Sequence, residues 1–242
     1  LDAGGERLRA VCIYAAGYNN IDVAAATERG VVVANTPGVL TDATADFALG
    51  LLLAAGRRIV EGDHAMRGGE FHGWAPDYML GLELRGALLG VVGFGRIGQS
   101  LARRARACGM RIAYTSDVQE QLPDDLRDAE PMPLVRLLEE SDVVSLHVPL
   151  TETTHHLIDE AALRHMKPTA VLVNTARGQV VDEQALVRAL REGWIAGAGL
   201  DVYEDEPRMA EGLAGCWNAV LAPHLGSATV HTRAAMAELC AG

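Results

Sequence analysis

Short apolar runs alternate along the chain with segments whose apolar residues recur at helical spacing. Residues 8–14 and 31–34 predict two short buried strands, and the segment Asn35-Thr36-Pro37-Gly38 predicts a turn after the second. The stretch ATADFALGLLLAAGRRIVEGDHAMRGG predicts one long helix capped by Thr41 or Asp42. Residues 62–85, rich in Gly, His and Trp, predict a connecting loop.

From residue 88 onward, strand and helix patterns follow one another in series. Strands are predicted at 88–92, 111–115, 142–148, 169–174, 196–202 and 219–222, and helices at about 96–108, 133–140, 159–165 and 182–192. Short apolar strands alternating with amphipathic helices indicate a parallel sheet covered on both faces. The pattern therefore predicts an α/β fold with a Rossmann-type doubly wound parallel sheet.

Composition and charge restrict the class of protein further. The chain has 242 residues, of which 49% are hydrophobic and 22% charged, an ordinary balance for a globular protein. No apolar run reaches the roughly 18 residues that a membrane span needs. A net charge of -11 argues against a nucleic-acid partner, because binding phosphates needs clustered Lys and Arg.

The cysteines and the first residues bear on the protein's compartment. The four cysteines lie far apart in the sequence and match no metal or redox spacing, which fits a reducing cytoplasm. The chain opens at Leu1 without Met or a basic region, so we expect no signal peptide and expect the sequence to be part of a longer chain.

A glycine-rich turn follows the strand predicted at 88–92. The sequence LLGVVGFGRIG contains Gly93-x-Gly95-x-x-Gly98 between a predicted strand and a predicted helix. Gly93 would permit the tight turn, Gly95 would let the backbone approach a pyrophosphate, and Gly98 would let helix and strand pack closely. The free N–H groups at the start of the helix would then face the phosphates. The turn predicts a dinucleotide site.

The end of the next strand bears on which dinucleotide binds. An acidic residue about 20 positions after the glycines is expected to bond the ribose 2′-hydroxyl. Ser116 and Asp117 lie there, and no Arg or Lys follows until Arg127. A 2′-phosphate would meet a carboxylate, so NAD(H) is favoured and NADP(H) is the alternative. Ser116 occupies the position at which a carboxylate was expected, which keeps both open.

Three later strands each end next to a polar residue of interest. Arg177 lies in VNTARGQVVDE and His224 in LAPHLGSAT. The segment AGLDVYEDEP leaves its own strand at Asp201 and reaches Glu206. Ligands of open α/β sheets bind outside the carboxyl ends of the strands, so all three should lie at one edge. An Arg fork suits a carboxylate, and a His–Glu pair suits proton transfer. Each residue alone could equally be a surface charge or a packing residue.

These motifs, together with NTPGVLTDATADFALGLLLAAGRR at 35–58, resemble the D-isomer-specific 2-hydroxyacid dehydrogenase family. The similarity extends over essentially the whole chain. Within the family, the chain resembles the glyoxylate/hydroxypyruvate reductase branch most, and 2-ketogluconate reductase is a nearby branch. The resemblance implies NAD(P)H-dependent reduction of a small 2-oxo acid to the D-2-hydroxy acid. It also implies a homodimer built through the cofactor domain, with no nucleic-acid or membrane partner.

The resemblance implies a role for each site residue. Arg177 would hold the substrate carboxylate and keto oxygen, His224 would be the general acid/base, and Glu206 would pair with His224. The backbone at Ala16 and Gly17 would bind the substrate carboxylate, and Asp201 the nicotinamide carboxamide. The remaining cofactor contacts would come from Thr44, Gly93, Gly95, Arg96, Ile97, Gly98, Ser116, Asp117, Pro149, Thr154, Thr175 and Gly226. No metal ligand is implied.

The resemblance also implies a domain division. Residues 1–35 would be part of a flavodoxin-like substrate domain, 36–223 the NAD(P)-binding Rossmann domain, and 224–242 a return to the substrate domain. Compared with the family, the start of the substrate domain and the end of the last helix are absent, so that domain is expected to be incomplete. Asn19 stands where the family often has Asp, and Ala15 where it often has Ser.

The adjacent histidines and the tryptophans do not indicate a function, and the site residues also fit other classes of protein. The side chains of adjacent residues such as His155 and His156 diverge in most conformations, so we expect no metal site there. Trp74, Trp194 and Trp217 are expected to pack. The same Arg, Glu and His also occur in NAD-binding regulators of the corepressor type. A regulator of that type, or a cofactor-binding fragment without activity, is therefore an alternative to the enzyme.

Overall fold

The computed structural model describes residues 1–116 and 122–241, so the predicted ribose contact Asp117 lies outside the described residues. The chain begins with a small parallel pair, β1 (Ala10–Cys12) and β2 (Val32–Ala34), joined through α1 (Val23–Glu28). The strands predicted at 8–14 and 31–34 are thus confirmed in shorter form. Their predicted burial is wrong, because their residues are exposed or half-buried. The carboxyl group of Asp22 caps α1 by accepting the N–H of Ala25 at 2.9 Å.

A seven-stranded parallel sheet forms the body of the molecule. Its strands are β3 (Leu88–Val92), β4 (Arg111–Thr115), β5 (Glu130–Pro131), β6 (Val143–Leu146), β7 (Val171–Asn174), β8 (Gly197–Leu200) and β9 (Ala219–Leu221). Their order is β5-β4-β3-β6-β7-β8-β9. The chain winds outward from β3 in one direction and then crosses to β6 on its other side. This switch opens a crevice at the carboxyl ends of β3 and β6.

Helices cover both faces of the large sheet, as predicted. α2 (Thr41–Gly56) and α4 (Arg96–Ala107) pack on one face, and α5 (Leu134–Glu140), α6 (Glu160–His165) and α7 (Glu183–Glu192) pack on the other. Because apolar residues of the strands contact helices on both faces, two hydrophobic clusters sandwich the sheet. The doubly wound α/β prediction is confirmed.

The prediction of one long helix from residue 43 is wrong, because the first helix ends at Gly56. A second helix, α3 (Ile59–Gly68), follows Arg58, whose φ of 55° is left-handed. The carbonyl of Gly56 accepts the N–H of Leu82 at 2.7 Å, so a distant loop takes the acceptor that a continuing helix would use. The predicted cap is also wrong. Leu40 precedes α2, and Asp42 instead accepts a hydrogen bond from Ser100 on α4 at 2.7 Å.

The last helix, α8 (Val230–Ala241), returns to the small sheet. The hydroxyl of Tyr14, two residues beyond β1, donates to the carbonyl of Arg233. The sulfurs of Cys12 and Cys240 lie 2.7 Å apart, although the sequence spacing of the cysteines suggested no pairing. Residues before 35 and after 224 are thus in contact.

The tryptophans were expected to pack, and the structure confirms this for one of the three. Trp74 and Trp217 are 84% and 67% exposed, so the expectation that they pack is wrong, whereas Trp194 lies under the guanidinium of Arg164 at 3.6 Å. Among the described residues, no helix combines the length and the apolar character that crossing a membrane requires.

Candidate active site

The glycine turn joins β3 to α4, as the sequence predicts. Gly93 has a φ of 92°, and a Cβ there would lie 2.7 Å from the backbone carbon of His147, so only glycine fits. A Cβ on Gly98 would lie 2.4 Å from the carbonyl oxygen of Gly93. A Cβ on Gly95 would meet nothing within 4 Å, and α4 begins there without a side-chain cap. The start of α4 therefore offers uncapped N–H groups to open space.

A cleft of about 530 Å³ lies at the carboxyl ends of β3, β4 and β6. Its lining includes Gly93, Gly95, Ser116, Pro149 and Thr154 among the residues predicted to contact a dinucleotide. His147 also lines this cleft, and burial lowers the pKa of its imidazole to about 4. A neutral, largely apolar cleft beside the switch point is suited to a flat heterocycle.

A second cleft, of about 590 Å³, lies between the carboxyl ends of β7 and β8 and the loop that follows β1. It brings together ten further predicted residues, which are Ala16, Gly17, Thr44, Ile97, Thr175, Arg177, Asp201, Glu206, His224 and Gly226. Arg96 and Gly98 line neither cleft. Segments distant in sequence thus meet at one edge of the sheet, as the strand-end argument predicts.

His224 and Glu206 form a direct pair in this second cleft. Nδ1 of His224 lies 2.9 Å from Oε2 of Glu206, and the other carboxylate oxygen accepts the N–H of Tyr203 at 3.1 Å. The histidine side chain is 53% exposed, so its second nitrogen can reach a molecule in the cleft. A carboxylate on Nδ1 fixes the ring's orientation and leaves Nε2 as the group that exchanges a proton.

Asp201 holds the loop that carries His224. Its two carboxylate oxygens accept the N–H groups of Leu225 at 2.6 Å and Gly226 at 2.7 Å, and its carbonyl accepts the N–H of His224 at 2.9 Å. Burial raises the pKa of the Asp201 carboxyl, and the two N–H donors oppose that rise. These bonds keep His224 in a left-handed conformation, with a φ of 56°, that a free chain would avoid.

Arg177 follows β7 and projects into the same cleft. Its Nε donates to Oδ1 of Asn19 at 2.9 Å and its Nη1 to the carbonyl of Ala176 at 2.6 Å. Burial lowers the pKa of the guanidinium, whereas the nearby Glu206 raises it. Because Nη2 lacks a hydrogen-bond partner within the described chain, the fork keeps a donor for a planar acid.

The loop at residues 15–20 closes the cleft opposite Arg177. The amide of Asn35 donates to the carbonyl of Ala16 at 2.7 Å and so fixes the loop to the end of β2. A Cβ on Gly17 would lie 1.9 Å from Nη2 of Arg177, so this loop touches the guanidinium directly. The backbone near Gly17 and the fork of Arg177 thus face a common small space.

Sequence reasoning missed several residues that shape the site. Asn19 was noted only as a departure from the family pattern, yet it orients Arg177. Tyr14, Gln179 and Arg233 also line the second cleft. These residues are identified only by contacts between segments that are far apart in the sequence. Neither the local hydrophobic pattern nor the spacing of motifs predicts such contacts. The hydroxyl of Thr175 was predicted as a cofactor contact. It is buried and has no hydrogen-bond partner among the residues that the structure describes.

Comparison with known proteins identifies the family. The model of the "D-isomer specific 2-hydroxyacid dehydrogenase, NAD binding domain" family matches residues 49–226. The chain is 55% identical over 239 residues to the glyoxylate reductase of Thermococcus litoralis, covering 97% of this chain and 72% of that protein.

Solved structures agree with that match. One is the NADPH-dependent glyoxylate/hydroxypyruvate reductase of Sinorhizobium meliloti in complex with NADP and malonate, with a TM-score of 0.88 and 41% identity. The alignment covers 96% of this chain and 72% of that one. Another is the D-lactate dehydrogenase of Aquifex aeolicus complexed with NAD and lactic acid, with a TM-score of 0.86 and 31% identity over 96% and 74% of the two chains. The chain belongs to the D-isomer specific 2-hydroxyacid dehydrogenase family.

Proposed function

We propose that the protein uses NAD(P)H to reduce a small 2-oxo acid, either glyoxylate to glycolate or hydroxypyruvate to the D-2-hydroxy acid. The observation that carries the proposal is the second cleft, in which Arg177 and the His224–Glu206 pair lie beside the glycine turn. Relatives named glyoxylate reductase, at 53–57% identity, support the substrate class. The activity is that of an oxidoreductase acting on a CH–OH group.

The residues present fit a dinucleotide. The turn leaves open space at Gly95, where a phosphate would approach. Among the described residues the buried hydroxyl of Thr175 has no hydrogen-bond partner, and a bound group could supply one. Phosphate would lie on the start of α4, near Arg96 and Ile97. Adenosine would lie in the first cleft, near Ser116, Pro149 and Thr154, and nicotinamide in the second, near Thr44, Asp201 and Gly226. When bound, the reduced nicotinamide supplies a hydride to C2 of the oxo acid.

Arg177 orients the acid in this proposal. Its fork binds the carboxylate and the keto oxygen, and the loop backbone at Ala16 and Gly17 holds the carboxylate from the other side. Because the guanidinium is positioned by Asn19 and by the carbonyl of Ala176, it does not need to reorganise as charge builds on the oxygen. The close approach of Gly17 to Arg177 favours a small acid.

His224 supplies the proton that the forming hydroxyl requires. Nε2 faces the cleft while Glu206 holds Nδ1, so the ring donates its proton to the oxygen without turning. In the reverse direction the neutral imidazole accepts the hydroxyl proton.

For the cofactor, we favour NAD(H) over NADP(H). Ser116, which lines the first cleft, has no positive charge to offer a 2′-phosphate, and Asp117 follows it in the sequence. Relatives of known structure are complexed with NADP in one case and with NAD in another, so both cofactors are used among related proteins.

A homodimer through the cofactor domain is part of the proposal. Six large apolar side chains cluster in one segment and are 42–84% exposed: Ile59, Met66, Phe71, Trp74, Tyr78 and Leu80. A patch of this kind in one segment is typical of a protein–protein interface. The domain division at 1–35, 36–223 and 224–242 is likewise proposed, and the contacts of α8 with β1 support it. We also propose a cytoplasmic location, since the four cysteines are free.

The test is an assay of reduced-nicotinamide absorbance. NADH and NADPH are each supplied with glyoxylate, hydroxypyruvate and 2-ketogluconate, and the configuration of the hydroxypyruvate product is determined on a chiral column. We expect oxidation of NADH by glyoxylate or hydroxypyruvate, and a D product from hydroxypyruvate. No oxidation with any pair, together with tight NADH binding, would favour the NAD-binding regulator, which no observation among the described residues supports at present.

A further inference from the structure

A cluster of metal-binding side chains lies outside the proposed catalytic group. His155 and His156 are in the turn before α6, and Glu204 is in the loop after β8. One ligand atom from each residue lies within 4.8 Å of the others. We propose that these three residues bind a divalent transition-metal ion of the zinc class. The site holds no residue assigned to catalysis or to the cofactor.

The backbone makes the two adjacent histidines converge. His156 has a left-handed φ of 50°, and its N–H donates to the carbonyl of Gln179 at 2.8 Å. The two imidazole rings therefore lie 4.1 Å apart between centroids, tilted by 31°. The sequence-based expectation that these side chains diverge is wrong for this pair, because a contact with a distant loop fixes an uncommon conformation.

Glu204 is held in place from three sides. Its N–H donates to Oε2 of Glu183 at 2.8 Å, its carbonyl accepts from the amide of Gln179 at 2.7 Å, and its Oε1 lies 2.7 Å from Nε2 of His156. Its second carboxylate oxygen has one long contact, 3.5 Å, with the N–H of Glu183. The carboxylate is thus positioned before any ion binds and keeps an oxygen available.

Two imidazole nitrogens and one carboxylate oxygen match the ligands that zinc prefers in sites with an open position. Bonds of about 2.0–2.2 Å place such ligands a little over 3 Å apart, so the spacing here needs small side-chain movements and no backbone change. The ion would take the place of the hydrogen bond between Nε2 of His156 and Oε1 of Glu204. The carboxylate of Glu183, which accepts the N–H of Glu204, adds a negative potential that attracts a cation.

His155 separates this proposal from a purely structural interpretation. The pair of His156 and Glu204 could serve only to hold two loops together by a hydrogen bond. The ring of His155 makes no hydrogen bond within the described chain and packs against the ring of His156. A change at His155 therefore removes a ligand while the His156–Glu204 bond stays intact.

The experiment measures Zn²⁺ binding by competition with a chromogenic chelator and by calorimetry. The whole chain carries Cys12→Ser, because the neighbouring sulfurs of Cys12 and Cys240 could themselves bind zinc. His155→Ala and Glu204→Gln remove ligands, and the glutamine can still hydrogen-bond to His156. His231→Ala, an exposed histidine on α8, is the matched control.

We expect one Zn²⁺ per chain in the Cys12→Ser parent and in the His231→Ala control. His155→Ala and Glu204→Gln should each weaken binding by at least about tenfold, with melting temperatures in the absence of metal close to the parent's. The proposal is overturned if the parent binds no zinc, or if both ligand variants bind it as tightly as the parent. Neither result would affect the proposed dehydrogenase activity, since the assay of the oxo acid is separate.

Discussion

Gly17→Ala tests how tightly the substrate loop and Arg177 fit together. An added Cβ would lie 1.9 Å from Nη2 and 2.8 Å from Cζ of Arg177. Gly17 is not among the residues with a positive φ, so alanine suits the backbone and the change acts on the guanidinium alone. The fold and the cofactor clefts should remain intact.

The size of the effect follows from that contact. Carbon and nitrogen atoms at contact distance are separated by about 3.5 Å, so the guanidinium must withdraw by roughly 1.5 Å. Such a displacement removes one of its charge-assisted hydrogen bonds to the substrate, which contributes about 1.5–3 kcal/mol. Since about 1.4 kcal/mol corresponds to a factor of ten, kcat/KM for glyoxylate should fall about ten- to hundredfold.

The assay compares kcat/KM for glyoxylate with the Kd of NADH measured by fluorescence. Gly50→Ala is the matched control, because a Cβ at Gly50 meets nothing within 4 Å. The control should behave as the wild type in both measurements, and Gly17→Ala should lose kcat/KM while binding NADH normally. Wild-type kcat/KM in Gly17→Ala would refute the proposed packing of Arg177 against the substrate loop.

Three further predictions concern the cofactor cleft, acid stability and the exposed segment. Gly93→Ala should raise the Kd of NADH at least about tenfold, because its Cβ would collide with the His147 backbone. Gly69 has a similar φ, but a Cβ there would meet nothing within 4 Å, so Gly69→Ala should leave the Kd of NADH unchanged. Burial lowers the pKa of His147 to about 4, so folding favours the neutral imidazole and stability is lost as pH falls below the unfolded value of 6.5. Denaturant titration at pH 7 and pH 5 measures the free energy of unfolding of the wild type and of His147→Asn. Since part of the ring faces the cleft, the decrease in this free energy from pH 7 to pH 5 should be about 1–2 kcal/mol smaller in His147→Asn than in the wild type. An equal decrease in both proteins would contradict this. Trp74→Glu should convert the proposed dimer to monomers in light scattering, whereas Val230→Glu, at a position 92% exposed on α8, should not; a dimeric Trp74→Glu protein would place the interface elsewhere.

The sequence predicted those parts of the fold whose causes are local. The strand at 88–92 was predicted with its observed bounds, because a run of buried apolar residues ends at a glycine that the turn requires. The strand ends that carry Arg177, Glu206 and His224 were predicted to meet because parallel strands share one carboxyl edge. The structure brings these three residues to one cleft, and their chemical roles remain predictions.

Contacts between distant segments account for what the sequence did not predict. The break after Gly56 depends on the N–H of Leu82, and the convergence of His155 with His156 depends on the carbonyl of Gln179. β5, at two residues, is too short to give a pattern. The orientation of Arg177 by Asn19 links residues far apart in the chain, so no local signal could reveal it.

The measurement that tests the central claim most directly separates chemistry from cofactor binding in two variants. For His224→Ala and Arg177→Ala, the turnover of glyoxylate is compared with the Kd of NADH. The account predicts at least about a hundredfold lower turnover in each variant with an unchanged Kd for NADH, because both side chains act on the oxo acid. Reduction of glyoxylate at the wild-type rate by either variant would contradict it.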